Sequence, residues 1–280
     1  MKICRTIQSL SEALAGQPSV GFVPTMGFLH AGHLSLVQAC RRENDLTVVS
    51  IYVNPAQFGP NEDLERYPRD PERDIALLEK EQADVLFLPD TGEIYPPGHA
   101  THLHVEGLDA VLCGASRPGH FRGVATVVLK LFNLVKPQRA YFGQKDAQQA
   151  LVIRRMVRDL HLPVRVRVMP IVRDSDGLAL SSRNVYLSAL ERQAAIHLPR
   201  ALSSAAALVA GGELDAMRLK KAMTQELAKD SLIQIEYISV AGLLDLAELE
   251  AVQPGQTLIA AAIRVGKTRL IDNFILGELT

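Results

Sequence analysis

Tryptophan is absent from the 280 residues, aromatic residues make up 5%, and only three cysteines occur. So few aromatics leave little of the stacking platform that an RNA-binding surface needs, and a net charge of −1 supplies no bulk attraction to nucleic acid or to a membrane surface. The basic residues are dispersed; Arg154-Arg155 and the Arg165, Arg167 pair are short and read as solvated faces. No apolar run approaches the roughly eighteen residues of a membrane span, and Met1 to Leu10 lacks the apolar core of a signal segment. Cys4, Cys40 and Cys113 show neither metal-site spacing nor a Cys-x-x-Cys pair. Their odd number points to free thiols, packed as small buried hydrophobes, in a reducing, cytoplasmic compartment.

What is present is 48% hydrophobic and rich in aliphatic side chains, enough for a large core in one large or two ordinary domains. Apolar runs at 20–23, 46–53, 85–88, 140–142 and 164–172 read as buried strands, and helical periodicity lies between them at 34–42, 70–81, 124–135 and 147–160. This alternation predicts an α/β fold, a parallel sheet wrapped by helices, with its ligand beyond the carboxyl ends of the strands. The composition shifts after Asp174-Ser175-Asp176-Gly177. Helical patterns at 188–210 and 214–229, then strand patterns at 232–240, 257–262 and 270–274, predict a smaller C-terminal α+β domain. The expected division is therefore 1–174 and 175–280, the second part acting as a lid. Residues 89–119 read as irregular, with His99, His102 and His104 as surface or strand histidines.

The chain is organised around Pro24-Thr25-Met26-Gly27-Phe28-Leu29-His30-Ala31-Gly32-His33-Leu34-Ser35-Leu36, a tight glycine-bearing turn between a strand and a helix that starts near Gly32 or His33. A helix start offers unpaired N–H groups and a partial positive charge, which suits a phosphate, and His30 and His33 stand at that mouth. Read alone, the pair serves a nucleotide, forms half of a metal site, or caps a helix. Lys145, after Gly143, offers a compact charge for a phosphate, and Asp146 suits the following helix as its N-cap. Gln57 and Gln149 are neutral amides that donate to and accept from hydroxyls and carboxylates without adding charge, and Asn54 orders the same pocket or a turn with Pro55. In Leu180-Ser181-Ser182-Arg183-Asn184, two hydroxyls and a guanidinium make an anion clamp. No Gly-x-Ser-x-Gly elbow surrounds these serines, which disfavours a serine nucleophile. The acidic stretch 62–74 reads as a solvated helix start. Arg117, His120 and Arg122 form a basic cluster, at a subunit contact or a site edge.

Five segments, in order, resemble the motifs of the pantothenate synthetase (pantoate–β-alanine ligase) family, nucleotidyltransferases with a His-x-Gly-His-type motif. They are the stretch from Pro24 to Leu36, Val53-Asn54-Pro55-Ala56-Gln57-Phe58, Arg117-Pro118-Gly119-His120-Phe121, Gly143-Gln144-Lys145-Asp146-Ala147-Gln148-Gln149, and Leu180 to Asn184. The likeness covers nearly the whole chain. It implies a Rossmann-like sheet and an ATP-dependent condensation of (R)-pantoate with β-alanine through a pantoyl adenylate. By the same resemblance His33 is the catalytic histidine and His30 helps to hold the phosphates, with Lys145, Ser181, Ser182 and Arg183 steadying the leaving diphosphate. The implied ATP site comprises Met26, Gly27, Phe28, Leu29, His30, Ala31, Gly32, His33, Gly143, Gln144, Lys145, Asp146, Val172, Leu180, Ser181, Ser182 and Arg183. Gln57 and Gln149 would bind pantoate, Gln57 also touching β-alanine, beside Asn54. Mg²⁺ accompanies the nucleotide, with Asp74 as its candidate protein ligand although Arg73 precedes it, and a homodimer is the family expectation. The alternatives are a related nucleotidyltransferase, whose phosphate-bearing acceptor would call for cations at Gln57 and Gln149, and a nucleotide-binding protein without turnover.

Overall fold

Strand and helix alternate from the N-terminus to Met169 in the computed structural model, which describes residues 1–17, 19–60 and 62–277. The order is β1 (Lys2–Cys4), α1 (Ile7–Leu14), β2 (Val20–Thr25), α2 (Ala31–Glu43), β3 (Leu46–Ile51), α3 (Pro71–Lys80), β4 (Val85–Phe87) and the one-turn helices α4 (Thr91–Ile94) and α5 (Cys113–Ser116). There follow α6 (His120–Val135), β5 (Arg139–Gly143), α7 (Ala147–Asp159) and β6 (Arg165–Met169). The six strands form one parallel sheet in the order β1-β4-β3-β2-β5-β6.

Period two along each strand sends alternate side chains to opposite faces, and both faces are covered. Phe22, Val48, Phe87 and Phe142 join the cluster under α6 and α7, with Phe132 and Val152. Their neighbours Val23, Val49, Leu86 and Tyr141 face α2, with Leu36, Val37 and Cys40. From β2 the chain steps outward through β3 and β4, then returns to the other side of β2 for β5 and β6. β2 and β5 thus flank the switch point of the sheet, the place where such folds bind ligands. They pair only at Gly21 with Arg139 and Phe22 with Ala140, whereas β2 stays in register with β3 from Val20 to Thr25. Their carboxyl ends part, and a crevice opens between them.

The remainder holds α8 (Ala189–Ala195), α9 (His197–Ala210), α10 (Ala216–Leu227) and an antiparallel sheet of β7 (Ile233–Gly242), β8 (Gln256–Val265) and β9 (Thr268–Gly277). One face of this sheet packs on α9 and α10 through Ile259, Ala261, Leu270 and Phe274. The other, with Tyr237, Leu258, Ala260, Ile271 and Ile275, belongs to the same cluster as α6 and α7.

Three local features differ from the sequence reading. β1 and α1 have no apolar run of their own, since β1 is three residues and α1 is set by a capping box between Thr6 and Ser9. The pattern over 188–210 is two helices, not one, because Pro199 cannot follow Ala195 in a continuous helix without meeting its carbonyl. α2 starts at Ala31, with His30 as its N-cap. Within 89–119, Tyr95, His99 and His102 form a row of ring contacts, and His104 pairs with Asp109. The three cysteines are buried and unpaired. No helix among the described residues is long and apolar enough to cross a membrane.

Candidate active site

The chain leaves β2 by a sharp turn into α2. Gly27 takes a φ of +82°, and a Cβ there would lie 2.9 Å from Ile51 Cγ2 and 3.0 Å from Asp74 Oδ2. Phe28 follows at +49°, a conformation that a residue with a side chain keeps only when it is held. The hold comes from α3. The Asp74 carboxylate accepts the N–H groups of Phe28 and Leu29, each at 2.7 Å, and Arg73 Nη2 donates to Leu29 O at 2.9 Å. This corrects the expectation of Asp74 as a magnesium ligand. Both its oxygens are committed to backbone donors, and it is 1% exposed. Among the described residues no group of three or more His, Cys, Asp or Glu side chains gathers to hold a metal.

His30 Nδ1 accepts the N–H of Gly32 at 3.2 Å, and His33 Nδ1 accepts the N–H of His30 at 3.4 Å. A nitrogen that accepts carries no proton, so each neutral ring keeps its proton on Nε2. Burial, and then the charge of Lys145, pulls His33 down to about 4; burial, and then His33 and Lys145, pulls His30 down to about 3. At neutral pH both are uncharged Nε2–H donors, with ring centroids 4.0 Å apart. Both line a cavity of about 220 Å³ at the switch point.

Neutral amides line the same cavity. Asn54 caps the 3-10 turn Pro55–Gln57, accepting the Ala56 N–H, and its Nδ2 donates to Gln57 Oε1 and to Gly123 O, both at 3.1 Å. Gly123 lets α6 approach that turn: a Cβ there would lie 2.2 Å from Ala56 O. Behind it, His120 Nδ1 donates to Gln57 O at 2.8 Å while Nε2 accepts from Arg117 Nη1 at 2.9 Å. Burial, then Arg117, lowers His120 to about 4, which keeps it neutral. Arg117 is itself gripped by Glu62 through Nε at 2.8 Å and Nη2 at 2.6 Å. Arg117 and His120 therefore stand at the site edge, and Arg122 lies outside the cavity wall. Gln149 lines the cavity, whereas its neighbour Gln148 ties α7 to Cys113, Leu108 and Val111.

The cationic and hydroxyl groups of the cavity come from two more short turns. The 3-10 turn Gln144–Asp146 follows β5 and brings Lys145 into the cavity, its Nζ 3.6 Å from Asp146 Oδ1. Asp146 sits at the N-cap position of α7 but makes no capping bond, contrary to expectation. The 3-10 turn Ser182–Tyr186 brings Ser182 Oγ to Phe28 O at 3.2 Å, and Ser181 Oγ accepts the N–H of Arg183 at 3.3 Å. Arg183 is paired with Asp63 and lies over the Tyr67 ring.

The structure thus gathers Met26, His30, Gly32, His33, Asn54, Gln57, Gly143, Lys145, Asp146, Gln149, Val172, Leu180, Ser181, Ser182 and Arg183 around one cavity. Gly27, Phe28, Leu29, Ala31 and Gln144 shape the turns but do not line it. Glu62 and Asp63 fall in the acidic stretch expected to be a solvated helix start, but they precede α3 and are paired with Arg117 and Arg183; Tyr67 was not singled out by sequence reasoning. Two adjacent acids following a glycine-bearing loop are the faint signal, but their arginines lie 55 and 120 residues away.

Fold and site together define an enzyme of the Rossmann-like class that handles a nucleotide at the switch point of a parallel sheet. The family model for pantoate-beta-alanine ligase matches residues 2–275. The chain belongs to the pantoate–β-alanine ligase family. It is 53% identical over 276 residues to a pantothenate synthetase of Herpetosiphon aurantiacus, covering 99% of this chain and all (100%) of that one. It is 56% identical over 277 residues to one of a Roseiflexus species, covering 99% of each. The crystal structure of pantothenate synthetase from Thermus thermophilus superposes with a TM-score of 0.96 at 49% identity, over 99% of this chain and 100% of that one. The pantoate-β-alanine ligase from Francisella tularensis, complexed with β-γ ATP and β-alanine, superposes with a TM-score of 0.80 at 34% identity, covering 98% and 97%.

Proposed function

We propose that the protein condenses (R)-pantoate with β-alanine, using ATP and giving pantothenate, AMP and diphosphate through a pantoyl adenylate. The observation that carries this reading is the composition of the cavity lining. Locked Nε2–H imidazoles, Lys145 and the Ser181-Ser182-Arg183 turn line the cavity together with the uncharged carboxamides of Gln57 and Gln149. Uncharged amides suit a small hydroxy acid whose carboxylate must remain free to react. A phosphate-bearing acceptor would call for unengaged cations there, and Arg117 is taken up by Glu62.

In the first step a pantoate carboxylate oxygen attacks the α-phosphorus of ATP and the bond to diphosphate breaks. The carboxylate is already ionised at neutral pH and needs no base. The useful contribution of His33 is therefore its Nε2–H, directed at phosphate oxygens that gain charge, with His30 beside it. Lys145, Ser181, Ser182 and Arg183 take the departing diphosphate. In the second step the β-alanine amine attacks the acyl carbon, AMP leaves, and a proton is lost from nitrogen. Holding the partners in one pocket replaces collision with positioning, worth about 7–11 kcal/mol when alignment is good.

Mg²⁺ belongs to the proposal on the chemistry of the donors. Asp74 is spent on the backbone, Glu62 and Asp63 on arginines, and Asp146 offers a half-exposed carboxylate at the cavity wall. That set fits an ion held mainly by phosphate oxygens and water, which would supply charge neutralisation on the triphosphate. We also assign nucleotide and pantoate binding to residues 1–174, with Leu180 to Arg183 completing the nucleotide side from the second part. Residues 175–280 would form a lid of small amplitude, since their sheet shares a hydrophobic cluster with α6 and α7. Cytoplasmic residence and a homodimer complete the proposal.

Purified protein with ATP, Mg²⁺ and pantoate should exchange labelled diphosphate into ATP without β-alanine, and should form pantothenate and AMP once β-alanine is added. Exchange that needs β-alanine, or ADP as the product, would refute the two-step route.

A further inference from the structure

Period two along β9 directs Ile271 and Ile275 toward the α6 and α7 cluster, and Leu270, Phe274 and Leu276 toward α9 and α10. Asn273 shares the first of these faces and is 4% exposed. A carboxamide in the middle of an apolar face is costly unless every polar atom finds a partner. All of its partners lie on the turn after β5. Nδ2 donates to Gln144 O and to Lys145 O, each at 3.0 Å, and Oδ1 accepts from Gln144 Nε2 at 3.3 Å. The preceding residue, Asp272, grips Arg173 through both guanidinium ends at 2.6 and 3.0 Å and accepts the Asn273 N–H at 2.8 Å. Two consecutive residues of the C-terminal sheet therefore hold the Lys145 turn and the strand-to-loop passage that leads to Leu180.

We propose that Asn273 is a positioning residue for Lys145, so that the C-terminal sheet sets where the ammonium meets the triphosphate. This rests on the reading that Lys145 acts on ATP. The carboxamide clamps the backbone on which the lysine side chain is mounted. Any movement of the C-terminal sheet carries the Lys145 turn with it, and closing of the second unit and placement of the lysine become one event.

The test compares Asn273→Ala, Lys145→Ala and the double variant in the full chain, by pantoate-dependent exchange of diphosphate into ATP. A displacement of about 1 Å can cost on the order of a hundredfold. The expected result is a loss of ten- to a hundredfold, on the order set by such displacement, in kcat/KM for ATP in Asn273→Ala, with the KM for pantoate unchanged. Once Lys145 is alanine, removing Asn273 should change exchange by no more than about twofold. A loss of the same factor with and without the lysine side chain would overturn the inference, as would a lowered Tm with kcat/KM for ATP intact. Lys145→Ala exchanging at the parent rate would instead refute the reading of Lys145, and the inference with it. Should Asn273→Ala not fold, Asn273→Gln, which keeps both polar ends but adds a methylene, carries the same readout. The inference then requires a lowered kcat/KM for ATP at near-parent Tm, and an unchanged kcat/KM overturns it.

Discussion

Arg183 and Asp63 meet side by side, Nε to Oδ2 and Nη2 to Oδ1, both at 2.9 Å, across 120 residues of chain. This joins the Ser-Ser-Arg turn to the loop between β3 and α3. Burial works against both charges. The hydrogen bonds and mutual attraction prevail, holding the Asp63 carboxyl below its ordinary range and the guanidinium above its own. Nη1 of Arg183 has no partner among the described residues. The pair thus fixes the aim of a guanidinium that lines the cavity.

Asp63→Ala should release Arg183 from that aim. Exchange of diphosphate into ATP should fall by about tenfold, roughly the value of one charge-assisted contact, and stability by about 1–3 kcal/mol. Because the Asp63 carboxyl is depressed in the fold, its contribution is present above its unfolded value of 3.8 and is lost as pH falls through the lower folded value. Urea titrations of parent and variant from pH 7 downward should converge on the acid side. Faster exchange in the variant would mean that Asp63 restrains Arg183 instead of aiming it.

The histidines give a pH signature of their own. Folded His33 titrates near 4 and His30 near 3, against 6.5 in the unfolded chain. The unfolded chain binds more protons between those values, so stability is full above pH 6.5 and declines as the pH drops toward 4. His33→Asn should flatten part of that decline and lose adenylation. In the parent enzyme, the adenylation rate should show no acid limb near 6.5, since the working form is neutral there. A limb centred near 6.5 would contradict the burial-lowered titration of His33 and His30.

Asp74→Ala should behave as a folding lesion, with loss of shape at the His30 mouth. Two buried N–H groups lose their acceptor, a cost of about 1–3 kcal/mol for each such group left unsatisfied, and the left-handed Phe28 loses its restraint. The Tm and kcat/KM for ATP should fall together while the Mg²⁺ concentration giving half-maximal rate stays put. A shifted Mg²⁺ requirement at unchanged Tm would restore Asp74 as a metal ligand.

Strong periodicity made the parallel sheet legible. The runs at 20–23, 46–53 and 140–142 are buried on both faces, so hydrophobicity alone marks them. Lys2–Cys4 is invisible to that criterion because it is short and two of its residues are exposed. Pro199 could have split 188–210 had its clash with the preceding turn been weighed. Cavity-lining residues such as His33 and Lys145 are of types that carry chemistry and sat within readable turns. Residues that hold them in place were hidden. Asp74, Asp63 and Asn273 act through backbone or through a partner far along the chain, and acidic or amide residues in isolation read as solvated.

The most direct measurement follows oxygen atoms. Pantoate labelled with ¹⁸O in its carboxylate, turned over with unlabelled ATP and β-alanine, should deliver one labelled oxygen into AMP, because that oxygen bonds to the α-phosphorus and stays there when the amide forms. Label in inorganic phosphate or diphosphate, with none in AMP, would contradict attack at the α-phosphorus.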